Sequence, residues 1–261
     1  MSIVRNFFII LSHKKTIMSI FQSAFGGGKK FAVLIDPDKT KINNLYQTAH
    51  IAQENGVDMF FVGGSLLTDD YLDECIALLK KETNIPVILF PGNALQINSK
   101  ADALLFLSLI SSRNPEMLIG RHVIAAPYLK AAKLETIPTG YMLIDSGKPT
   151  AASYMSNSYP IPHDKDDIAV CTALAGEMLG LKLIYMDAGS GGAYSISESM
   201  INKVKKSISI PLIVGGGIRN IDTAKTLYYA GADCVVIGNA IEQDNSIIPQ
   251  MTSLLKEINK K

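Results

Sequence analysis

The chain alternates between short, continuously apolar runs and longer stretches in which apolar residues recur every three or four positions. Residues 31–35 (FAVLI) form the first run, and it ends in Asp36-Pro37-Asp38, where proline stops strand pairing. Ile42, Leu45, Ala49 and Ala52 then repeat at helical spacing, and Asn55-Gly56 closes that helix. The form recurs. Residues 59–62 predict a second strand closed by Gly63, Gly64 and Ser65, with Thr68 as the cap of a helix over 69–81. A third strand is read in 85–93 (IPVILFPGN), a fourth in 103–107, then a helical region over 115–134 and a fifth strand in 139–144. A sixth strand, 182–187, ends in glycines, and a seventh in 212–220 (LIVGGGIRN) leads directly into a helix reaching 230. The eighth, 235–237, runs into Gly238-Asn239, and the tail over 246–258 is helical. Continuous apolar runs suit parallel strands buried on both faces. Eight strand-helix units predict an α/β protein, a single-domain (β/α)8 TIM barrel. A doubly wound open sheet would carry its glycine-rich turn after the first strand. Here that strand ends in acids and the glycines come late.

Two segments depart from the repeat. Residues 1–28 read as a tail and a short helix ahead of a barrel unit spanning 29–261. The apolar stretch 7–11 is cut by His13-Lys14-Lys15 and is too short for a signal core or a membrane span. Met18 opens a cleaner amphipathic stretch with Ile20, Phe21, Ala24 and Phe25, so 1–17 read as a loose tail or a start assigned too early. Residues 146–164 are rich in Ser, Pro, Gly, Asn and Tyr and read as a surface insertion or a lid over the barrel mouth. A helix over 166–179 follows, with Asp166-Asp167 suited to its N-terminus.

Composition narrows the function class. The 261 residues, 48% hydrophobic, fit one large α/β domain. A formal charge of +1 gives no electrostatic footprint for nucleic acid. Cys75, Cys171 and Cys234 stand far apart and read as reduced thiols of a cytoplasmic protein. The four histidines show no metal-ligand spacing.

In a barrel the chemistry sits at the C-terminal ends of the strands. Those ends offer Asp36 and Asp38 after strand one and Gly63, Gly64 and Ser65 after strand two. Strand six offers Tyr185, Asp187, Gly189, Ser190 and Gly191; strands seven and eight offer Gly216, Gly217, Gly238 and Asn239. Paired glycine turns late in a barrel are where such folds hold a substrate phosphate. Asp36 and Ser65 suit an Mg2+ ion bridging to a second phosphate group, because Mg2+ binds through one or two carboxylates plus hydroxyl, water and phosphate oxygens. A turn aspartate before proline is the plainer reading of Asp36. Phe90, Leu107 and Tyr141 on the middle strands are candidates for an apolar groove or for plain core.

Six stretches in series, LIDPDK, VGGSLLT, ILFPGN, YMDAGSG, VGGGIR and IGNAIE, resemble the geranylgeranylglyceryl phosphate synthase family, which includes the archaeal ether-lipid enzymes and the PcrB-type proteins. The resemblance runs from about Lys29 to the C-terminal helix, and LIDPDK has the archaeal-like form, with Leu34 where the PcrB branch carries lysine. It implies a cytoplasmic, homo-oligomeric prenyltransferase of phospholipid biosynthesis with transient membrane-surface contact. Its reaction would join sn-glycerol 1-phosphate to a polyprenyl diphosphate of geranylgeranyl type and release pyrophosphate. Asp36 and Ser65 then correspond to the Mg2+ residues. Tyr185, Met186, Asp187, Ala188, Gly189, Ser190, Gly191, Gly216, Gly217, Gly238 and Asn239 correspond to the glycerol-phosphate site, with Asp187 and Tyr185 as its catalytic pair. The family usually has glutamate where Asp187 stands. The alternatives are another phosphate-binding barrel acting on a sugar phosphate, or a non-catalytic binder of a phosphate ligand.

Overall fold

A computed structural model describes residues 18–38, 42–69 and 71–260. Residues 1–17, and with them the reading of that stretch as tail or early start, lie outside the described residues.

Eight parallel strands close into a barrel in sequence order: β1 (Lys30–Ile35), β2 (Met59–Val62), β3 (Val87–Leu89), β4 (Ala103–Leu109), β5 (Glu135–Leu143), β6 (Leu183–Asp187), β7 (Leu212–Gly215) and β8 (Cys234–Ile237). Pairing of β1 with β8, Ala32 opposite Val236, completes the ring. Both faces of the strands are largely buried, as the continuous apolar runs require, with Thr136 on β5 exposed. Ala32, Met59, Phe61, Ile88, Leu105, Tyr185, Ile213 and Val236 fill the interior. Phe31, Val33, Ile35, Phe60, Val62, Met186 and Val214 pack outward under the helices.

The helices that carry this layer are α1 (Ile20–Phe25), α2 (Ile42–Asn55), α3 (Leu72–Glu82), α4 (Arg121–Ala132), α5 (Ala151–Ser156), α6 (Asp166–Met178), α7 (Glu198–Ser207), α8 (Ile221–Ala230), α9 (Asn239–Gln243) and α10 (Ile247–Ile258). The amphipathic stretch after Met18 is α1. Ser19 and Gln22 form its capping box, Ala24 is buried, and Ile20, Phe21 and Phe25 pack on the barrel interior. The Glu135 carboxylate accepts from the Ile20 and Phe21 N–H groups at 2.8 and 3.0 Å.

Four expectations change. Thr68 does not cap a helix over 69–81: α3 starts at Leu72, and the Thr68 hydroxyl donates to Asp38 at 2.9 Å. The region 115–134 splits into a π-helical turn, Glu116–Gly120, followed by α4, which ends at Lys133 in a left-handed conformation. The fifth strand starts four residues earlier than its pattern, at Glu135, because its pairing with β4 runs from Ala103↔Glu135 to Leu109↔Tyr141. The stretch 146–164 holds structure of its own. Thr150 and Ser153 make a capping box for α5, Asn157 ends it with φ 49°, and Ile161 pairs with Ile144. Among the described residues no helix is long and apolar enough to cross a membrane.

Candidate active site at the barrel mouth

Strand ends and the loops beyond them enclose a polar mouth of about 740 Å³. It is lined by Asp36, Asp38, Gly64 and Ser65 on one side and by Tyr185, Asp187, Gly189, Ser190 and Gly191 on another. Gly216, Gly217, Gly238 and Asn239 complete the ring. Every strand-end residue singled out from the sequence, Gly63 included, therefore lines this mouth except Met186 and Ala188. Met186 does not: strand alternation turns it outward, and it is fully buried under the helices. Ala188 is likewise buried in that outer layer, and its N–H bonds to the Gly215 carbonyl at 3.0 Å.

Asp187 ends β6 with only 8% of its surface exposed. One carboxylate oxygen accepts from the Gly189 N–H at 2.7 Å, and the other accepts from the Tyr141 hydroxyl. Burial raises its pKa above the ordinary value, while the bonds from Tyr141 and Gly189 pull it back down. Tyr185 lies two residues earlier on the same inward face. Its ring stacks on Phe90 with centroids 5.1 Å apart and meets Tyr141 edge-on at 5.5 Å. Its hydroxyl has room because residue 215 is glycine: a Cβ there would lie 2.6 Å from that oxygen. Burial, then the nearby Asp187 charge, pushes the Tyr185 hydroxyl well above its ordinary pKa, so it stays a donor.

The glycine turns face this pair. Gly216 and Gly217 have φ of 82° and 68°. The Ser190 hydroxyl and the Asn239 amide hydrogen-bond at 3.0 Å, tying the β6 loop to the start of α9. That short extra helix after the last strand is where barrels of this kind often complete a phosphate site. The Arg219 guanidinium, also in the mouth, donates to the Gly192 carbonyl at 2.9 Å.

A second, apolar cavity adjoins the mouth. Leu105, Phe106, Leu107, Met117, Ala125 and Leu129 are among its lining residues, and Met155 on α5 contributes as well. Ser65, Phe90, Tyr141 and Ala152 border both spaces. Phe90, Leu107 and Tyr141 thus line the cavity, and Phe90 and Tyr141 also belong to the aromatic core. His122 sits in the cavity wall, with Nε2 3.3 Å from the Ser108 hydroxyl, and burial lowers its pKa so that the ring is neutral.

Sequence reading missed Tyr141 as the partner of Asp187, and missed Arg219 and Gly192. The signal for Tyr141 was strand alternation, which puts Ile137, Thr139 and Tyr141 on one face. No sequence signal marked the Arg219 contact.

Known proteins are similar to this chain in sequence and fold. The PcrB family model matches residues 28–259. The geranylgeranylglyceryl phosphate synthase of Chitinophaga pinensis is 53% identical, over 92% of this chain and 95% of that protein. The enzyme of the same name from Pyrococcus furiosus is 42% identical, over 82% of this chain and 85% of that one. The archaeal-like form of LIDPDK thus goes with a higher identity to a bacterial relative than to an archaeal one. Among solved structures, the (S)-3-O-geranylgeranylglyceryl phosphate synthase of Thermoplasma acidophilum, in complex with its substrate sn-glycerol-1-phosphate, superposes with a TM-score of 0.85 at 36% identity. That match covers 92% of this chain and 97% of that one. With the family matched across nearly the whole barrel, the chain belongs to the PcrB family and is a prenyltransferase of the geranylgeranylglyceryl phosphate synthase type.

Proposed function

We propose that the chain joins the C3 hydroxyl of sn-glycerol 1-phosphate to C1 of a polyprenyl diphosphate, with Mg2+ at Asp36 and Ser65, to give a prenylglyceryl phosphate for ether-lipid synthesis. The observation that carries this reading is the pairing of the two spaces. A glycine-lined polar mouth suits a small phosphate ester, and an apolar cavity opening into it suits a polyprenyl tail. Neither a sugar-phosphate isomerase nor a plain phosphate binder needs the second space.

The residues present fit Mg2+. Asp36 and Ser65 offer hard oxygen donors. The missing side chain at Gly64 leaves space beside the Asp36 carboxylate, since a Cβ there would lie 3.2 Å from it. Among the described residues no group of three or more His, Cys, Asp or Glu could hold a metal, so the other ligands would come from diphosphate and water. When bound, Mg2+ offsets the charge that builds on the leaving diphosphate.

The protein's own groups do the rest. The glycine turns and Arg219 favour a phosphate near β7 and β8. Asp187 accepts the proton of the attacking hydroxyl as the new C–O bond forms and the bond to diphosphate breaks. A carboxylate whose pKa is raised by burial is a better base near neutral pH than an exposed one. Tyr185 donates a hydrogen bond that orients the glycerol. Phe90 and Tyr141 present aromatic faces where the allylic carbon gains positive character.

A cytoplasmic, homo-oligomeric protein with transient membrane contact belongs to the same reading. Val123, Ile124 and Tyr128 on α4 are exposed, an apolar surface of the kind that association buries. Incubation of the protein with radiolabelled sn-glycerol 1-phosphate and prenyl diphosphates of several lengths tests the proposal. Label should enter the organic phase only with both substrates and Mg2+ present. Absence of extractable label with every chain length would refute it.

A further inference from the structure

The ends of β2 and β3 part at the mouth, and one buried side chain bridges them. The last backbone bond of that ladder runs from the Phe90 N–H to the Val62 carbonyl at 2.8 Å. Beyond it, Gln96 takes over. It ends a short 3-10 turn, Ala94–Gln96, and is 2% exposed. Its Nε2 donates to the Gly64 carbonyl at 2.8 Å. Its Oε1 accepts from the Gly64 N–H at 3.3 Å and from the Gly92 N–H at 3.2 Å. The side-chain amide therefore pairs with both polar groups of Gly64, as a neighbouring strand would, and extends the sheet by one residue. The two N–H donors and one carbonyl acceptor fix which way the amide faces.

The fit on the far side is equally close. A Cβ at Gly92 would stand 2.3 Å from the Gly64 carbonyl and 2.8 Å from that of Ser65. The Arg121 guanidinium holds the Gly92 carbonyl at 2.8 Å. Gly64 thus lies between Gln96 and the Asp36 carboxylate, and Ser65 is the next residue along the chain.

We infer that Gln96 is a positioning residue, whose amide sets the relative placement of Asp36 and Ser65 for binding the cation and diphosphate. This inference rests on the assignment of Asp36 and Ser65 proposed above. Gln96 lines neither the polar mouth nor the apolar cavity, so it acts through Gly64 and Gly92 rather than on a ligand. The planar amide carries the donor and the acceptor on separate atoms, and the position uses both at once. Glutamate keeps the acceptor, loses the donor and adds a charge near Asp36. Methionine keeps the volume and loses all three bonds.

Calorimetric binding of Mg2+-pyrophosphate and, separately, of sn-glycerol 1-phosphate to the wild type, Gln96→Met and Gln96→Glu, with thermal unfolding of each, tests the inference. Loss of a residue that orients ligating groups typically costs about 10–100-fold in affinity. Pyrophosphate binding should weaken by that order in both variants, while glycerol phosphate affinity stays within about twofold, well under the tenfold that 1.4 kcal/mol represents. A purely structural Gln96 would lower the unfolding temperature and leave both affinities unchanged, or weaken both ligands alike, and either result overturns the inference. If one variant fails to fold, the other carries the comparison; if both fail, Gln96 is structural and the inference falls. Failure of the wild type itself to bind Mg2+-pyrophosphate would instead overturn the assignment of Asp36 and Ser65, and the role of Gln96 with it.

Discussion

At the floor of the barrel, aspartates stand just before β2, β4 and β8, and each is tied to the start of the strand before its own. Asp58 accepts from the Phe31 N–H at 2.9 Å and from Lys30 at 3.1 Å. Asp102 accepts from the Val87 N–H at 2.8 Å and from Lys80 at 2.6 Å. Asp233 accepts from the Leu212 N–H at 2.9 Å, and Lys205 lies 2.6 Å away. Each carboxylate occupies a backbone donor at the edge of the ladder and has a lysine beside it. At the mouth, Asp187 has two uncharged partners, Tyr141 and Gly189, and burial raises its pKa. The same side chain serves as a clamp at one end and, in the proposed reaction, as a proton acceptor at the other. A backbone N–H binds the carboxylate at both ends, and among the described residues the lysine beside it, present at the floor and absent at Asp187, makes the difference. In barrels the bottom face carries stability and the top face carries chemistry.

Substitutions at the two ends should therefore separate activity from stability. The largest effect is expected for Asp187→Asn, with kcat falling by about 10²–10⁴-fold and far less change in KM for glycerol phosphate. Asp187→Glu, which supplies the family's usual residue, should stay active, because the extra methylene extends toward the open mouth. Near-normal steady-state kcat for the asparagine variant would make Asp187 structural. Asp36→Asn comes next: Mg2+-dependent turnover is lost, while glycerol phosphate binding, followed by calorimetry, is retained. Full activity of that variant at limiting Mg2+ would remove Asp36 from the metal site.

The floor should respond in the other currency. Asp233→Ala strands the Leu212 N–H and takes the carboxylate partner from Lys29 and Lys205, and hydrogen bonds to charged groups contribute about 1.5–3 kcal/mol. Its unfolding temperature should fall, while kcat per folded molecule stays unchanged. A matching loss of kcat would end the separation of floor from mouth. The pH dependence sharpens the mouth further. Asp187 must be ionised to accept a proton, so kcat falls as pH drops through its raised pKa. The acid limb then lies above the ordinary aspartate value. The Tyr141 bond lowers that pKa, so Tyr141→Phe should move the limb to higher pH in a kcat profile. A limb that stays put would separate Tyr141 from the chemistry.

The smallest effect is at Gly238, where φ is −118° and a Cβ would meet Leu34 at 3.3 Å. Gly238→Ala should fold normally and weaken glycerol phosphate by about tenfold, or 1.4 kcal/mol. Gly217→Val looks from the sequence like a clean block of phosphate approach. The structure removes that expectation: φ is 68°, and a Cβ would stand 2.5 Å from the Tyr194 carbonyl, so the loop itself would shift.

Strand order, the glycine turns and most mouth residues were legible because parallel strands write themselves as apolar runs and function follows their C-terminal ends. The floor aspartates were not, since a lone acid before a strand looks like any turn residue until its neighbour's N–H is seen. Helix α5 was hidden because Ala151, Ser153 and Tyr154 carry little apolar periodicity, and its capping box of Thr150 and Ser153 lacks the usual glutamate or glutamine. Gln96 was hidden because its partners are backbone groups more than thirty residues away in the case of Gly64.

A crystal structure of the protein with sn-glycerol 1-phosphate tests the division of the mouth most directly. The account predicts the phosphate on the turns of Gly216-Gly217 and Gly238-Asn239, with a glycerol hydroxyl against Asp187 and within reach of Tyr185. A phosphate bound instead beside Asp36 and Ser65, or a glycerol turned away from Asp187, would contradict it.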